Sequence, residues 1–537
     1  MEESGGEAGI LRAPYHSTSQ PTDPFSANII LSFTPPLQLF VDSNDFDNRL
    51  ALIMATGDST RSQVTPYLIY LVFIVTLGPL QFGYHLAELN APQAVVTCEK
   101  KGIHGSSAGV NGLPQCIPMN PSQFGLVSSI YTLGGLLGAL LAGPVSTKYG
   151  RRIALLVTTV FFVLGPVAET LAPAIPILAL GRFLSGIGSG AAIVVGPIYV
   201  SEIAPPESRG FFGAFTQVMT NVGILLTQGL GYFLSHDSFW RLILGLAGII
   251  GALELLGLYT VPESPTWLAE HHSVSQARRV LQRIRGKDAN IEAETQCWRT
   301  SGAPEEESLL APAAGTLPSK QEPVTIMQAI RDPFYRPAIL AVVGVMIAQQ
   351  LTGINSIIMY SVSLLQSILP TTAALLTVII SAINLVMTLA CSPLPDRIGR
   401  KTCLLLSIAG MGSSSILLAL GIYFNQKIAS AIAALLFVAS FAVGLGPVPF
   451  ILASELVGPE AVGAAQSWAL AANWTATFVV AQFFPVLNDA LGGRGKVYWV
   501  FAAMAALLGT FIYRWVPETK GKANADEVWG RVDRRED

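Results

Sequence analysis

Charge is what this sequence has least of. Lysine, arginine, aspartate and glutamate make up 12% of the 537 residues, whereas soluble globular chains carry roughly 25%. Apolar residues make up 51%, and the mean hydropathy is +0.51. A chain with so few charges cannot surround a core with a solvated surface, which excludes an ordinary soluble protein and indicates a polytopic membrane protein. The net charge of −3 gives no indication of a nucleic-acid partner.

Metal-binding and catalytic patterns are also missing from the sequence. It has only five cysteines and six histidines, which form no Cys-x-x-Cys motif or Cys/His cluster of the kind that binds a metal ion. The apolar runs pair no nucleophile with a base. The sequence therefore predicts no metal, no cofactor and no enzymatic activity.

Apolar runs long enough to cross a bilayer recur in two sets of six, separated by a hydrophilic stretch. Each is close to or above the ~20 residues that a membrane helix needs. The first set covers residues 66–88, 122–146, 153–172, 176–201, 211–233 and 240–261. The second set covers residues 338–367, 371–394, 402–423, 428–456, 463–488 and 497–516. We expect an all-α membrane protein with twelve transmembrane helices in two pseudo-symmetric six-helix bundles and an intracellular helical linker.

Loop charge predicts the orientation of these bundles. The short loops after the second and eighth runs are strongly basic, and basic loops stay in the cytoplasm. Both termini and the linker then lie on the cytoplasmic side. The expected parts are a disordered N-terminal segment (1–65), an N-terminal bundle (66–261), a linker with short helices (262–337), a C-terminal bundle (338–516) and a tail (517–537).

The segments outside the bundles are polar. The apolar piece 25–41 is interrupted by two prolines and is too short to span a bilayer. No basic stretch precedes it as in a signal peptide, so we expect a disordered segment, with Met54 as an alternative start. In the linker, Ser273–Arg285 has the pattern of a surface helix, and the acidic stretch 302–307 is expected to be flexible.

Three carboxamides lie inside the seventh apolar run. They belong to Gln349, Gln350 and Asn355. Polar groups at this depth have no water to bind, so they face a bundle interior or a cavity. Each amide offers a donor and an acceptor, which suits an uncharged ligand with many hydroxyl groups. Polar contacts between packed helices are the alternative explanation.

The two sets of runs repeat the same landmarks in register. The matched pairs are Gly150-Arg151-Arg152 with Asp396-Arg397-Ile398-Gly399-Arg400-Lys401, Glu202 with Glu455, and Pro262-Glu263-Ser264 with Pro517-Glu518-Thr519. A parallel duplication of six-helix halves is typical of a transporter whose site lies between the halves.

With these landmarks the chain resembles the sugar porter family of the major facilitator superfamily. The resemblance covers residues 66–521. It is carried by Gly181-Arg182-Phe183, Gly196-Pro197-Ile198-Tyr199, Arg209-Gly210, Pro262-Glu263-Ser264-Pro265, Gln349–Asn355, Gly446-Pro447-Val448-Pro449, Asn473-Trp474 and Pro517-Glu518-Thr519-Lys520-Gly521. The stretch from Gln81 to Gln93 is similar to animal facilitative glucose transporters, and to a fungal branch that includes a yeast protein linked to vacuolar sorting.

The resemblance implies a hexose site between the halves and transport by alternating access. The implied sugar ligands are Gln217, Gln349, Gln350, Asn355, Asn384 and Trp474, and the implied cavity walls are Phe82, Phe441 and Phe450. Core packing is the alternative role of the aromatic residues. The chain departs from glucose transporters at Met359 (usually Tyr), Ala442 (usually Glu), Phe450 (usually Trp) and Thr477 (usually Asn), which leaves the preferred sugar open.

The resemblance also implies Arg–Glu pairs that hold the cytoplasmic side shut when the outer side is open. The implied residues are Arg151, Arg152, Glu202, Arg209 and Glu263 in the first half and Arg397, Arg400, Glu455 and Glu518 in the second. Anchoring at the membrane interface is their alternative role. Thr147, Lys148, Thr266 and Val462 replace charged partners that the family carries, so we expect a thinner network and a less stable outward-open state.

Two hypotheses remain for proton coupling. Proton-driven members of the family usually carry Asp at the position of His85, and facilitators usually carry Asn. Glu254 at mid-depth of the membrane needs a partner, and Arg182 is the expected one, so His85, Arg182 and Glu254 are candidates for a proton relay. A static hydrogen-bonded cluster that supports facilitated diffusion is the alternative, and the missing Asp favours it. Glu88 either faces the lumen or joins this cluster.

The cysteines are expected to differ by compartment. Cys98 and Cys116 lie in the loop on the non-cytoplasmic side, where oxidising conditions favour a disulfide; two free thiols are the alternative. The other three, Cys297, Cys391 and Cys403, are expected to be reduced. The glycosylation sequon at Asn473 lies inside a spanning run and is expected to stay unmodified.

A sugar sensor on the same fold is the rival function. Such sensors recruit partners through long cytoplasmic tails, and only about twenty residues follow Pro517. We expect instead a carrier of a small-molecule sugar that works as a monomer in the lipid bilayer, in the plasma membrane or in an internal (vacuolar or endosomal) one.

Overall fold

The computed structural model describes residues 64–100, 112–301, 324–366, 372–458, 460–522 and 524–531. The predicted disorder of the N-terminal segment, the alternative start and the flexible stretch 302–307 lie outside these residues. Within them, twelve helices are long and apolar enough to cross a membrane. The predicted fold class is confirmed.

The twelve helices are numbered α1 to α12 in chain order. The first six are α1 Pro66–Ala87, α2 Pro121–Tyr149, α3 Arg151–Thr170, α4 Ile175–Ile203, α5 Arg209–Leu234 and α6 Trp240–Leu258. The second six are α7 Arg336–Leu351 with Ile354–Gln366, α8 Ala373–Cys391, α9 Arg400–Tyr423, α10 Lys427–Val443 with Val448–Glu455, α11 Val462–Ala490 and α12 Val497–Trp515.

The pairing of helices is repeated between the halves. In the first half α2 and α3 pack on α4, α3 packs on α6 and α1 packs on α5. In the second half α8 and α9 pack on α10, α9 packs on α12 and α7 packs on α11. The halves meet through two related contacts, α2 on α11 and α5 on α8. This is the arrangement of a parallel six-helix duplication.

Local sequence determines where several helices begin. The Thr65 hydroxyl accepts a hydrogen bond from the Leu68 amide and caps α1, and Asn120 and Gln123 form a capping box at α2. Gly150 and Gly399 separate α2 from α3 and α8 from α9, with φ angles of 96° and 102° that favour glycine. The same backbone turn therefore precedes the third helix of each half.

Two helices of the second half are broken where their first-half counterparts are continuous. Helix α7 is interrupted at Thr352 and Gly353, where Gly353 has φ +98° and lies against the Phe501 ring. Helix α10 is interrupted between Val443 and Val448. Non-helical backbone at this depth needs partners inside the protein, so both breaks are candidates for functional positions.

Short helices of the linker pack on one half or the other. They are Pro265–His271, Val274–Arg285, Glu292–Ser301 and Ile326–Arg331. The second confirms the predicted surface helix and is capped by Ser273. Arg285 donates to the Ile203 carbonyl at the end of α4 (2.6 Å), whereas the Ile326 carbonyl accepts from Trp468 of α11 (2.9 Å). The linker is thus held at both of its ends.

The two faces of the molecule differ in how the halves meet. One face, which we call the disulfide face, carries the bond between Cys98 and Cys116. There Asn90 joins the halves, because its Nδ2 atom donates to the Ile358 carbonyl and the Ser361 hydroxyl, both at 2.9 Å. The opposite face carries the Arg–Glu pairs, and we call it the arginine face.

Candidate functional site

The three predicted carboxamides of α7 form one hydrogen-bonded row. Asn355 Nδ2 donates to Gln350 Oε1 (2.6 Å), and Gln350 Nε2 donates to Gln349 Oε1 (3.2 Å). All three side chains are buried, with 3–6% of their surface exposed. The break at Gly353 lies between Gln350 and Asn355, so the row follows from the local backbone as well as from the side chains.

The row continues into α10 and α11. Gln349 Nε2 donates to the carbonyls of Leu445 (2.6 Å) and Gly446 (3.2 Å). Both carbonyls lie in the break of α10, where the backbone lacks helical partners. Asn473 of α11 donates to Gln349 Oε1. Two broken helices and a third helix therefore meet at one amide.

Trp474 extends from the second half to the first. Its ring packs edge-on against Phe82 of α1 (5.8 Å between centroids) and Tyr131 of α2 (6.2 Å). It also lies against Gly135, where a Cβ atom would be 2.3 Å from the indole. The indole Nε1 donor is buried without a hydrogen-bond partner among the described residues. A ligand acceptor could satisfy this donor.

A second polar contact joins the halves between α5 and α8. Asn384 Nδ2 donates to Asn221 Oδ1 (3.3 Å), and Asn221 Nδ2 donates to the Thr388 hydroxyl (2.8 Å). Gln217 is half-buried and lies one helical turn before Asn221 on the same face of α5. Beside this contact is a small cavity lined by Ile224, Gln228, Ile357, Ile358, Thr377, Ile380, Ser381, Asn384 and Val438.

The three residues predicted to form the cavity walls differ in how exposed their side chains are. Phe82 and Phe441 are half-buried, and Phe441 lies beside Gly446 at the break of α10. Phe450 is 43% exposed. The structure therefore brings Phe82 to Trp474 and Phe441 to the α10 break, while Phe450 is the most open of the three.

On the arginine face, each half forms its own ionic cluster. In the first half, Arg151 pairs with Glu202 (2.8 Å), and the backbone amides of Arg151 and Arg152 donate to the Glu263 carboxylate (2.8–3.1 Å). Glu263 lies under Gly150, where a Cβ atom would be 2.4 Å from its Oε2. Gly150, which precedes α3, therefore also leaves the space that the Glu263 carboxylate occupies.

The cluster of the second half has the same geometry. Arg400 pairs with Glu455 (2.9 Å), and the Arg400 amide donates to Glu518 (2.8 Å), which lies under Gly399. Arg209 and Arg397 are exposed. The pairs found among the described residues of this face lie within one half, which differs from a network that would close the two halves against each other.

Comparison with known proteins decides the family. A family model described as "Sugar (and other) transporter" matches residues 71–528. The chain belongs to this family of sugar transporters. It is a multi-pass membrane protein of the major facilitator fold that transports sugar.

Relatives of the transporter include yeast and mammalian proteins. A probable metabolite transport protein of Saccharomyces cerevisiae is 36% identical over 89% of this chain and 98% of its own length. Vacuolar protein sorting-associated protein 73 of the same yeast is 31% identical over 86% and 95%. The mouse facilitated glucose transporter member 4 of solute carrier family 2 is 33% identical over 87% and 91%.

Among solved structures, the transporter is similar to a xylose transporter of E. coli in a partially occluded inward-open conformation. The TM-score is 0.68 at 28% identity, with 85% of this chain and 100% of that chain covered. The resemblance inferred from sequence motifs is therefore confirmed at the level of family and fold.

The transporter also buries a cluster of ionisable groups beneath its disulfide face. Glu88 Oε1 contacts Arg182 Nη1, and Glu88 Oε2 lies 3.0 Å from His85 Nδ1. Arg182 also donates to the His85 carbonyl (2.8 Å). Glu88 therefore joins the cluster, one of the two alternatives that the sequence left open.

The expected pairing of Arg182 with Glu254 is wrong. Glu254 Oε2 accepts a hydrogen bond from Gln81 Nε2 (2.8 Å), and Glu88 is the ionic partner of Arg182. The reason is that Glu88, three residues after His85 at the C-terminal end of α1, lies directly against the Arg182 guanidinium. A relay that connects His85, Arg182 and Glu254 directly is not supported by this geometry.

The remaining predictions concern cysteine. Cys98 and Cys116 form a disulfide with their Cα atoms 5.3 Å apart. Cys391 and Cys403 are free thiols. The side chain of Cys297 lies outside the described part of the chain.

Sequence reasoning missed four residues of the transporter's interior. They are Gln81, Glu169, Asn221 and Asn473. A signal existed for Glu169, because a carboxylate near the end of an apolar run is costly and marks a functional candidate. Asn473 was noted as part of the Asn473-Trp474 motif and as a glycosylation sequon, but not as a member of the amide row. Gln81 was noted only as the start of the stretch that is similar to glucose transporters, and Asn221 carried no signal beyond being an amide in an apolar run.

Proposed function

We propose that this sugar transporter carries a hexose by facilitated diffusion, with the sugar bound between its halves. The observation that carries the proposal is the buried row of Gln349, Gln350 and Asn355 at the break of α7. Its amides bind one another and backbone carbonyls, and sugar hydroxyls can replace such partners because they both donate and accept.

The surroundings of this row favour an uncharged polyol. Trp474 brings an apolar ring face close to Phe82, and its indole donor has no partner in the described part of the chain. Binding sites of this type combine apolar walls with a few polar groups that fix orientation. Gln217 and Asn384 would contribute amides from α5 and α8, so that both halves contact the ligand.

Alternating access would proceed by rocking of the two halves. Asn90 holds the halves together at the disulfide face, whereas Arg151 and Arg400 pair within their own halves at the arginine face. This supports a state that is open toward the arginine face. In the opposite state, the two ionic clusters would approach and close that face.

Orientation and location form a second part of the proposal. The arginine face would be cytoplasmic, because basic loops are retained there, and both termini would lie on that side. The membrane would be the plasma membrane or an internal one, and the monomer would be the functional unit, since one chain contains both halves of the site.

Hexose uptake tests the proposed function. Cells that lack their own hexose carriers and express this chain should show saturable uptake of radiolabelled D-glucose, and competition by other sugars should give the preferred substrate. A sensor would bind glucose without moving it. Absence of uptake for every hexose, with correctly folded protein in the membrane, would contradict the proposal.

Proteoliposomes test the mode of transport. A pH-sensitive dye inside the vesicles should report no net proton movement when a glucose gradient is applied. A sugar-evoked pH change that the Glu254→Gln variant abolishes would establish the symport alternative instead.

A further inference from the structure

The cluster beneath the disulfide face holds more negative charge than its arginine can balance. Besides His85, Glu88 and Arg182 it includes Glu169 of α3, and all four side chains are at most 1% exposed. Ligand atoms of His85, Glu88 and Glu169 lie within 4.8 Å of one another. With both carboxylates ionised and the imidazole neutral, the cluster would carry a net charge of −1 inside the membrane, which is costly.

Two atoms of this cluster lack the partners that a buried charge requires. The Ser185 hydroxyl donates to Glu169 Oε1 (2.7 Å), but Glu169 Oε2 has no hydrogen-bond partner among the described residues. His85 Nε2 is likewise buried without a partner. Buried polar atoms are normally satisfied, so a carboxylate oxygen without a donor marks a place where a proton can bind.

The other described neighbours of the cluster supply no further positive charge. Helix α2 contributes Tyr131, whose ring lies 4.5 Å from the Arg182 guanidinium, and α3 contributes Phe162, which stacks on His85 (5.8 Å). Helix α4 contributes the hydroxyls of Ser185 and Ser189 besides Arg182. Glu254 of α6 is bonded to Gln81. A bound proton is therefore the simplest way to neutralise the cluster.

A metal ion fits the cluster less well. Both oxygens of Glu88 are already engaged, one by Arg182 and the other by His85. The adjacent guanidinium would also repel a second cation. A proton needs only one carboxylate oxygen, and the carboxylates of Glu169 and Glu88 lie within hydrogen-bond reach of each other.

The cluster is connected to the closure of the disulfide face through α1. Glu88 lies two residues before Asn90, whose side chain bonds to Ile358 and Ser361 of the second half. The Asn90 Oδ1 atom also accepts from the Val362 amide (3.1 Å). A change in the position or charge of Glu88 would therefore reach the contact that joins the halves.

We propose that Glu169, together with Glu88, His85 and Arg182, forms a binding site for one exchangeable proton, and that the disulfide face closes when this proton is bound. The inference rests on the proposed alternating access of the sugar carrier. It assigns the proton to α3, and Glu254 is not part of the site. The proton is exchanged when the disulfide face is open, and it is enclosed when Asn90 binds α7.

The test is the pH dependence of glucose transport in proteoliposomes. The wild-type transport rate should fall as the pH rises on the side of the disulfide face. The fall should be at most about tenfold per pH unit, the limit for one titrating proton. Glu169→Gln should remove this dependence and keep a rate close to the acid-side value, since glutamine is uncharged. Glu254→Gln, the matched buried carboxylate, should keep the wild-type profile. A Glu169→Gln variant with an unchanged pH profile would overturn the proposal.

A second variant keeps the test decisive if Glu169→Gln does not fold. Ser185→Ala removes the donor that stabilises ionised Glu169, so the midpoint of the pH profile should move to higher pH; an unmoved midpoint would contradict the site. Chelators of divalent metals should leave every profile unchanged, and a profile that responds to chelation would replace the proton by a metal.

Infrared spectroscopy of the purified protein separates this inference from the proposed function. Wild type and Glu254→Gln should both show the C=O stretching band of protonated Glu169. This band should be missing from the spectrum of Glu169→Gln. If no variant transports any hexose, the proposed function fails while this band still reports on the site. If transport is normal and the band is the same in Glu169→Gln, only the proton site fails.

Discussion

Helices α1, α3 and α4 of the first half enclose two glutamates, a histidine and an arginine, whereas their counterparts α7, α9 and α10 enclose carboxamides and apolar side chains. Glu169 lies eighteen residues after Arg151, and the residue eighteen positions after Arg400 is Leu418. Arg182 lies twenty residues before Glu202, and the matching residue before Glu455 is Leu435. The duplicated frame is the same, but among the residues that the structure describes only the first copy buries charged side chains within its membrane helices.

The helix breaks follow the same division. Helices α1 and α4 remain continuous although they contain Pro79 and Pro197, while α7 and α10 are interrupted. The interruption of α10 releases the two carbonyls that Gln349 binds. In the proposed function, the second half would supply most of the sugar site and the first half an ionic cluster linked to closure.

Removing Arg182 should cause the largest difference in stability between the two halves. Arg182→Leu leaves Glu88 buried without its ionic partner, and breaking a buried pair in this way costs about 3–5 kcal/mol. The matched change in the second half, Leu435→Met, should cost less than about 1.5 kcal/mol. Thermal unfolding of the detergent-purified proteins measures both, and equal losses would show that the halves do not differ in this respect.

Removing an amide from the second half should have the next largest effect. Gln349→Leu deprives two carbonyls and Asn473 of a partner, and each buried group left unsatisfied costs about 1–3 kcal/mol. Glucose transport should fall about tenfold or more. Gln81→Leu in the first half should lower stability and leave the KM for glucose close to wild type. Similar changes of KM in both variants would argue against the division of roles.

Much of this architecture could be predicted from the sequence. The predicted run 240–261 corresponds to Trp240–Leu258, and 338–367 corresponds to the broken helix Arg336–Gln366. Membrane helices can be predicted from sequence because length and apolar composition are enough to define them. The amide row was also predictable, because polar residues in an apolar run are rare enough to identify.

The partners of buried groups could not be predicted in the same way. Glu254 was assigned to Arg182 but binds Gln81, because the choice depends on how α1 rotates against α4 and α6. The contribution of Asn473 depends on α11 lying beside the break of α7. Such relations between helices distant in sequence are set by packing, which one sequence does not record.

The two ionic clusters of the arginine face should respond alike. Arg151→Ala and Arg400→Ala each remove a partly buried pair with a glutamate, and the additional Arg400–Asp396 pair contributes little because Asp396 is exposed. Each variant should therefore cost about 1 kcal/mol of stability. Thermal unfolding of the two variants side by side tests the symmetry. A loss confined to one half would show that the clusters have diverged as the interiors have.

The smallest effect is expected at the contact between α5 and α8. Asn221→Val removes the hydrogen bond to Thr388 and the acceptor of the Asn384 amide. We expect it to weaken glucose binding, measured as the KM, by roughly 1 kcal/mol or less. Thr388→Val, which removes only the first bond, should change the glucose KM still less. A larger effect of Thr388→Val than of Asn221→Val would contradict this assignment.

Glucose affinity of Asn355→Ala tests the central claim most directly. Asn355 ends the buried amide row, whereas Gln366 on the same helix α7 is exposed and serves as the matched control. Loss of one sugar hydrogen bond should weaken binding about tenfold in Asn355→Ala, and Gln366→Ala should bind like wild type. Equal, undiminished affinity in both folded variants would show that the sugar does not bind at the amide row.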